Sequence, residues 1–503
     1  MPQLSAARIY EFKDALFRSP LVRLTILTFL AVLTLGYHLG VDDAEIYVPA
    51  IKRVADPSLY PFGDEFFMTH AHLSLFSNLV GDSALLTRIP INLAIFGWYV
   101  VGIFLLLFAC WKLLCACFFS EEARWSGVVL VACLMSVPVA GTALAIMDPY
   151  MTARSLSTPT TLLAIACYVS KRPRMATVWL MLTALIHPQM AVYGAVFLAC
   201  MEITRRLPVR VEPVPVFGML LAGIPFLFDF QPAQGPAREA LLSRTYFFVS
   251  NWTWYEWLGI VAPLALLWWF ASLRPRGTTP AFRSLARTLV PFGLLFAVTG
   301  VVLTIPARLE NYTRLQPMRA FHLLYVVFFV LLGGLLGEYL LRKNAWRWCT
   351  LFLPLACGMW LVQYNEFPSS AHIEWPGAAY HENWTCAFLW VRDHTPKDAV
   401  FALDPNYMGR HGEDEHGFRA IAERSALADN LKDSGAVSLF PQLANHWKQQ
   451  VDAQAGWEHF QRHDFDLLAK HYPVTWILTE GPGPAGMDCP YTNSEVAVCR
   501  MAP

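Results

Sequence analysis

The chain has 503 residues, of which 55% are hydrophobic and 15% charged, with a formal net charge of +0 at pH 7. Soluble domains carry about 25% charged residues, so a water-soluble fold would have no interior large enough for this apolar surface, and the mean hydropathy of +0.39 agrees. Neutralising nucleic-acid phosphates needs a basic excess, which the charge balance excludes, so no nucleic-acid partner is expected.

Taken in chain order, apolar runs near the roughly 20 residues that cross a bilayer predict a polytopic α-helical membrane protein with about eleven transmembrane helices. The runs are residues 22–40, 91–119, 126–145, 156–170, 175–187, 190–204, 214–230, 257–273, 288–306, 320–341 and 350–364. The first, from Leu24 to Leu39, has no small-residue cleavage site behind it and is expected to be a retained helix rather than a signal peptide. The fourth to sixth are short and form hairpins around Pro149, Pro159 and Pro188, which surrounding protein would have to support.

Lys and Arg accumulate in cytoplasmic loops. One side collects Arg8, Lys13, Arg18 and Arg23, then Lys112 and Arg124, then Lys171, Arg172 and Arg174. It continues with Arg205, Arg206 and Arg210, with Arg274, Arg276, Arg283 and Arg287, and with Arg342, Lys343 and Arg347. That side is expected to be the cytoplasm. The N-terminus is then cytoplasmic and an odd number of crossings leaves the C-terminal part outside, periplasmic if the membrane is a bacterial inner membrane. The chain divides into a membrane domain, 1–364, with a long first outward loop, 41–90, and a soluble α/β domain, 365–503.

In the first outward loop, Glu45 to Val54 predicts a short amphipathic helix, Asp56-Pro57-Ser58 a turn and Leu73 to Leu79 an interfacial helix. A second outward loop, 231–256, ends in an aromatic cluster suited to the headgroup layer. In the C-terminal domain, Trp384–His394 and Ala444–Ala455 predict helices, and 399–403, 474–478 and 496–501 strands. Most of the eleven cysteines lie in apolar runs as packing residues. Cys489 and Cys499 flank a turn-rich segment, and a disulfide is expected there if the domain faces an oxidising compartment.

Chemistry could sit first at Val41-Asp42-Asp43-Ala44-Glu45-Ile46-Tyr47, directly after the first run. Adjacent carboxylates near a low-dielectric surface raise each other's pKa, which makes a general base; an acidic helix start opposing the helix dipole accounts for the same residues. Local sequence alone favours the helix start. Asp148, in the turn before Pro149, and Arg154 either form a functional pair or close the hairpin on each other. Arg308, Arg314 and Arg319 stand against the positive-inside trend, and guanidinium forks match phosphate oxygens. His187 could donate to a phosphate or a sugar, although a lone histidine there is more often structural. His411-Gly-Glu413-Asp414-Glu415-His416 fits no standard zinc spacing.

The acidic pair Asp42-Asp43 with Tyr47, the long first loop, the acidic turn at Asp148, the basic segment Arg314-Pro317-Arg319 and the outward α/β domain together resemble the GT-C superfamily of integral membrane glycosyltransferases. The resemblance implies a polyprenyl-phosphate sugar donor, a glycan, lipid or protein acceptor, and contact with membrane lipids. It further implies Asp43 or Asp42 as the base, and Arg154, Arg314 and Arg319, joined by His187, as phosphate ligands. Asp148 would correspond to the position that some members use for a divalent cation such as Mg or Mn, although the Asp-X-Asp form is missing because Pro149 and Tyr150 follow. Inverting transfer is implied, with one carboxylate as general base.

Two other classes compete. A transporter or flippase for a lipid-linked or anionic solute predicts ionisable residues at mid-membrane and internal repeats; a non-catalytic scaffold of envelope glycan assembly predicts that Asp42 and Asp43 are dispensable.

Overall fold

The computed structural model describes residues 19–206, 231–273, 275–380, 382–410 and 414–501. Helices dominate up to Glu366, and a small sheet with short helices follows. Among the described residues, five helical segments are long and apolar enough to cross a membrane, as in an integral membrane protein: Ile91–Cys117, Trp254–Leu273, Pro280–Thr304, Ala307–Leu341 and Ala345–Glu366. Two shorter apolar helices, Pro20–Leu35 and Pro173–Ile186, stand beside them.

The expected count of eleven is not reached among the described residues, for separate reasons. Residues 214–230 lie outside them. The helices Ala153–Val169 and Pro188–Arg206 are present, but the second carries Glu202, Arg205 and Arg206 in its last turns. The run 126–145 is only half helix: Glu121–Cys133 is helical, and the chain then folds into a narrow hairpin with a bridge between Pro138 and Ala145. Pro138 has no N–H to continue a helix, and Val139 N–H turns instead to Leu144 O at 2.7 Å.

The segment Ala307–Leu341 runs through the bundle centre, and its regular part, Ala320–Leu335, packs against Glu121–Cys133. Glycines permit that approach: a Cβ on Gly333 would meet Gly127 Cα at 2.7 Å, and one on Gly337 would meet Glu122 O at 2.4 Å. Small residues at such crossings let apolar helices gain close van der Waals contact where the solvent is itself apolar.

The first loop holds three helices, Ala44–Ala55, Glu65–Ala71 and Phe76–Thr87, one more than the sequence predicted. The Asp56 turn forms as expected, with Ser58 N–H donating to Asp56 Oδ1 at 3.0 Å.

Beyond Glu366 the chain builds a five-stranded mixed sheet: β1 (Val400–Ala402), β2 (Ser425–Ala426), β3 (Trp476–Glu480), β4 (Asp488–Thr492) and β5 (Val496–Arg500), in the order β2-β1-β3-β5-β4. β1 runs parallel to β2 and β3, whereas β5 is antiparallel to β3 and β4. Central β3 and β5 bury four residues each, while β4 alternates and holds Pro490, which suits an edge. Cys489 and Cys499 form a disulfide between these last two strands.

This unit is clamped to the first loop. Val41 bridges His416, Gly417 N–H donates to Gly40 O at 2.7 Å, and Lys52 donates to Ala420 O at 2.8 Å. Tyr60 hydroxyl reaches Arg419 O at 2.9 Å. Glu374 ties the connector in, accepting from Leu39 N–H at 2.9 Å and lying 2.7 Å from His416 Nε2.

Candidate functional site

Bridge pairing at Val41 holds the start of the first loop in a fixed frame. Asp42 then takes φ 50°, a left-handed turn that Asp tolerates better than most residues. Both neighbouring carboxylates come within reach of Lys432, Asp42 directly and Asp43 at 3.6 Å. Asp43 precedes the helix Ala44–Ala55 but makes no side-chain cap hydrogen bond, so it is not spent on the helix start. Asp42 is engaged on both oxygens: Tyr150 hydroxyl donates at 2.7 Å to one, and Lys432 pairs with the other.

Asp43 opens onto a small, partly open cavity of about 70 Å³ between the first loop, the loop at 244–247, the segment 316–319 and the C-terminal unit. Cationic groups surround it. Arg154 Nη2 lies 3.9 Å from Asp43 Oδ2 and Lys432 Nζ lies 3.6 Å from Asp43 Oδ1. Arg319 and Arg244 line the same space. Arg154 comes from the first turn of Ala153–Val169, a helix fixed by a capping box of Thr152 and Ser155.

Of these four cations, two have carboxylate partners. Arg154 donates to Asp148 at 2.7 Å, and Lys432 pairs with Asp42. Arg244 donates to Leu431 O and Ser434 Oγ, neither of which carries a full charge. Arg319 lies over the Tyr246 ring at 5.8 Å, and the Nε atoms of Arg319 and Arg244 are buried with no hydrogen-bond partner among the described residues. Uncompensated guanidinium charge beside a cavity is a place for an anion, and paired forks suit phosphate oxygens.

His70 and Tyr47 complete one wall, ring centroids 5.3 Å apart and edge to face. Loss of solvent draws His70 down to about 4, so its ring is neutral at ordinary pH and available as a hydrogen-bonding group. Tyr47 is pushed up to about 12 by burial and stays a phenol.

Asp43, Arg154 and Arg319 are therefore brought together, with Asp42 just behind. Arg314 does not line the cavity; it donates from Nε to Asn311 O at 2.6 Å. His187 caps the end of Pro173–Ile186, its N–H donating to Thr183 O at 2.7 Å, and is likewise outside the lining. Asp148 is buried and accepts from Arg154 and from Thr152 hydroxyl at 3.1 Å. A guanidinium at that range repels a divalent ion, so the residues around Asp148 do not fit the Mg or Mn of the resemblance.

Lys432, Arg244, His70 and Tyr150 were not singled out from the sequence. Arg244 carried a usable signal, since it is basic in a loop that the sequence expects to face outward, the same departure that marked Arg319. Lys432 carried none. No protein-family model and no curated protein matches this chain in sequence.

Proposed function

We propose that this chain is a membrane glycosyltransferase that moves a sugar from a lipid-phosphate carrier to an acceptor at the outer membrane face, with inversion. The observation that carries the reading is the cavity in which a carboxylate, Asp43, faces two guanidinium groups that have no acidic partner among the described residues, Arg319 and Arg244.

In the proposed reaction Arg319 and Arg244 hold the donor phosphate, and Asp43 accepts the proton of the acceptor hydroxyl. The acceptor oxygen bonds to the anomeric carbon as the bond from that carbon to the phosphate oxygen breaks, and the phosphate leaves with the electron pair, stabilised by the guanidinium charges. Attack opposite the leaving phosphate inverts the centre. The chemistry would take place outside, with the 41–90 loop and residues 365–503 on that face and about eleven crossings in all. The Cys489–Cys499 disulfide supports an oxidising compartment for the C-terminal unit.

The test uses the full chain in lipid nanodiscs, titrated with a prenyl monophosphate and with the corresponding prenyl alcohol. Saturable binding of the phosphate, weakened at least tenfold in Arg319→Met, is expected. Equal binding of alcohol and phosphate overturns the reading.

A further inference from the structure

Lys432 is the reach of the C-terminal unit into the cavity. Its backbone stands in a tightly held turn: Asp429 Oδ1 accepts from the N–H groups of Leu431 at 2.7 Å, Lys432 at 2.5 Å and Asp433 at 3.2 Å. Behind the turn, Arg419 grips both oxygens of Asp433 at 2.9 and 2.7 Å, and Trp447 Nε1 donates to Asp429 O at 2.9 Å. The Lys432 side chain is only 8% exposed and ends between the two carboxylates, on Asp42 and 3.6 Å from Asp43. The amine is delivered from so rigid a base that its place in the site is fixed, while burial pulls its pKa from an ordinary 10.5 down to about 7.

We infer that Lys432 is a positioning residue that divides the acidic pair, engaging Asp42 together with Tyr150 and so holding its neighbour Asp43 free as a carboxylate toward the cavity. The significance for catalysis rests on the transferase reading; the electrostatics do not. Two neighbouring carboxylates in a partly dry site cannot both stay ionised without compensating charge. On its own segment Asp43 faces Asp42 and Tyr47, and His70 faces it from the next helix. Tyr150 and Arg154 approach from the 148–154 turn, Glu415 and Lys432 from the C-terminal unit, with Arg244 and Arg319 across the cavity. Arg154 is already shared with Asp148, and Arg244 with Leu431 and Ser434. Lys432 is thus the cation that meets both members of the pair, and without it their like charges face each other with less compensation.

Carbodiimides react with protonated carboxyl groups, so peptide mass spectrometry of Asp43 labelling across pH, on the full chain in nanodiscs, reads its protonation without any transfer assay. Lys432→Met is expected to move half-maximal labelling of Asp43 upward by about one pH unit, a tenfold change in protonated fraction, and Lys432→Arg to return it toward wild type. Asp42→Asn, which leaves Lys432 to Asp43 alone, is expected to move it downward and serves if the Lys432→Met protein does not fold. Unchanged labelling pH in a folded Lys432→Met protein, or an upward shift in Asp42→Asn, overturns the assignment. Labelling shifts as expected in a protein that binds no prenyl phosphate would uphold the role of Lys432 and remove the transferase reading instead.

Discussion

Arg154 donates to Asp148 at 2.7 Å, and both side chains are almost completely buried. The same guanidinium stands 3.9 Å from Asp43, so the pair closes the hairpin while its arginine also lines the site. Removing one partner of a buried ion pair leaves an uncompensated charge, at a cost of about 3–5 kcal/mol. Asp148→Asn is therefore expected to lower thermal stability sharply in detergent, and Arg154→Met to do the same. The double variant should recover much of the loss, because no charge is then stranded. Independent, additive losses in a calorimetric double-mutant cycle would show that the two residues do not act as a pair.

A second junction is pH-sensitive. Glu45 Oε1 accepts from Arg419 N–H at 2.9 Å and Oε2 from Ala420 N–H at 2.8 Å, joining the first-loop helix to the C-terminal unit. Burial pushes the Glu45 carboxyl from an ordinary 4.5 up to about 8, against the opposing pull of Arg419. A group whose folded value is raised binds its proton more tightly when folded, so its stabilising contribution is complete below about 4.5 and is lost as pH climbs through 8. Hydrogen exchange at the Arg419 and Ala420 amides should accordingly quicken between those limits. Glu45→Gln, which keeps the shape of the protonated form, should flatten that dependence; an unaltered pH response in the variant would place its origin elsewhere.

Much of this architecture is legible in the sequence because hydropathy and loop charge are local properties. The helix starting at Ile91 and the strands at Val400, Trp476 and Val496 follow directly from apolar runs. The run 126–145 misleads because hydropathy counts apolar side chains and does not register the N–H that Pro138 lacks. β2, two residues long, is too short to show alternation. The site divides in the same way. Asp43, Arg154 and Arg319 stand out by charge against an apolar background, whereas Lys432 meets Asp42 across a separation of 390 positions, and nothing in Asn430-Leu431-Lys432-Asp433 announces it.

Sidedness can be tested at Gln461, an exposed position of the C-terminal unit. In intact cells a membrane-impermeant maleimide should label Gln461→Cys above the wild-type background, and should label Lys171→Cys, in a loop proposed to be cytoplasmic, only after lysis. The reverse pattern would invert the topology and put the cavity on the inner face.

The sharpest expectation separates the two neighbouring carboxylates. Asp43 makes no cap hydrogen bond and lines the cavity, whereas Asp42 is held by Tyr150 and Lys432. Asn keeps the carboxylate shape without its basicity, and at Asp42 it also tolerates the left-handed backbone, so neither substitution strains the chain. Loss of a general base costs about two to four orders of magnitude in rate. Asp43→Asn should therefore abolish nearly all sugar transfer while leaving the melting temperature and prenyl-phosphate binding close to wild type, since the phosphate is held by Arg319 and Arg244. Asp42→Asn should lose less activity and more stability, because Lys432 is then left buried with only the more distant Asp43 at 3.6 Å. Full transfer by Asp43→Asn, or equal rate losses in the two single variants, would remove Asp43 from the role of base.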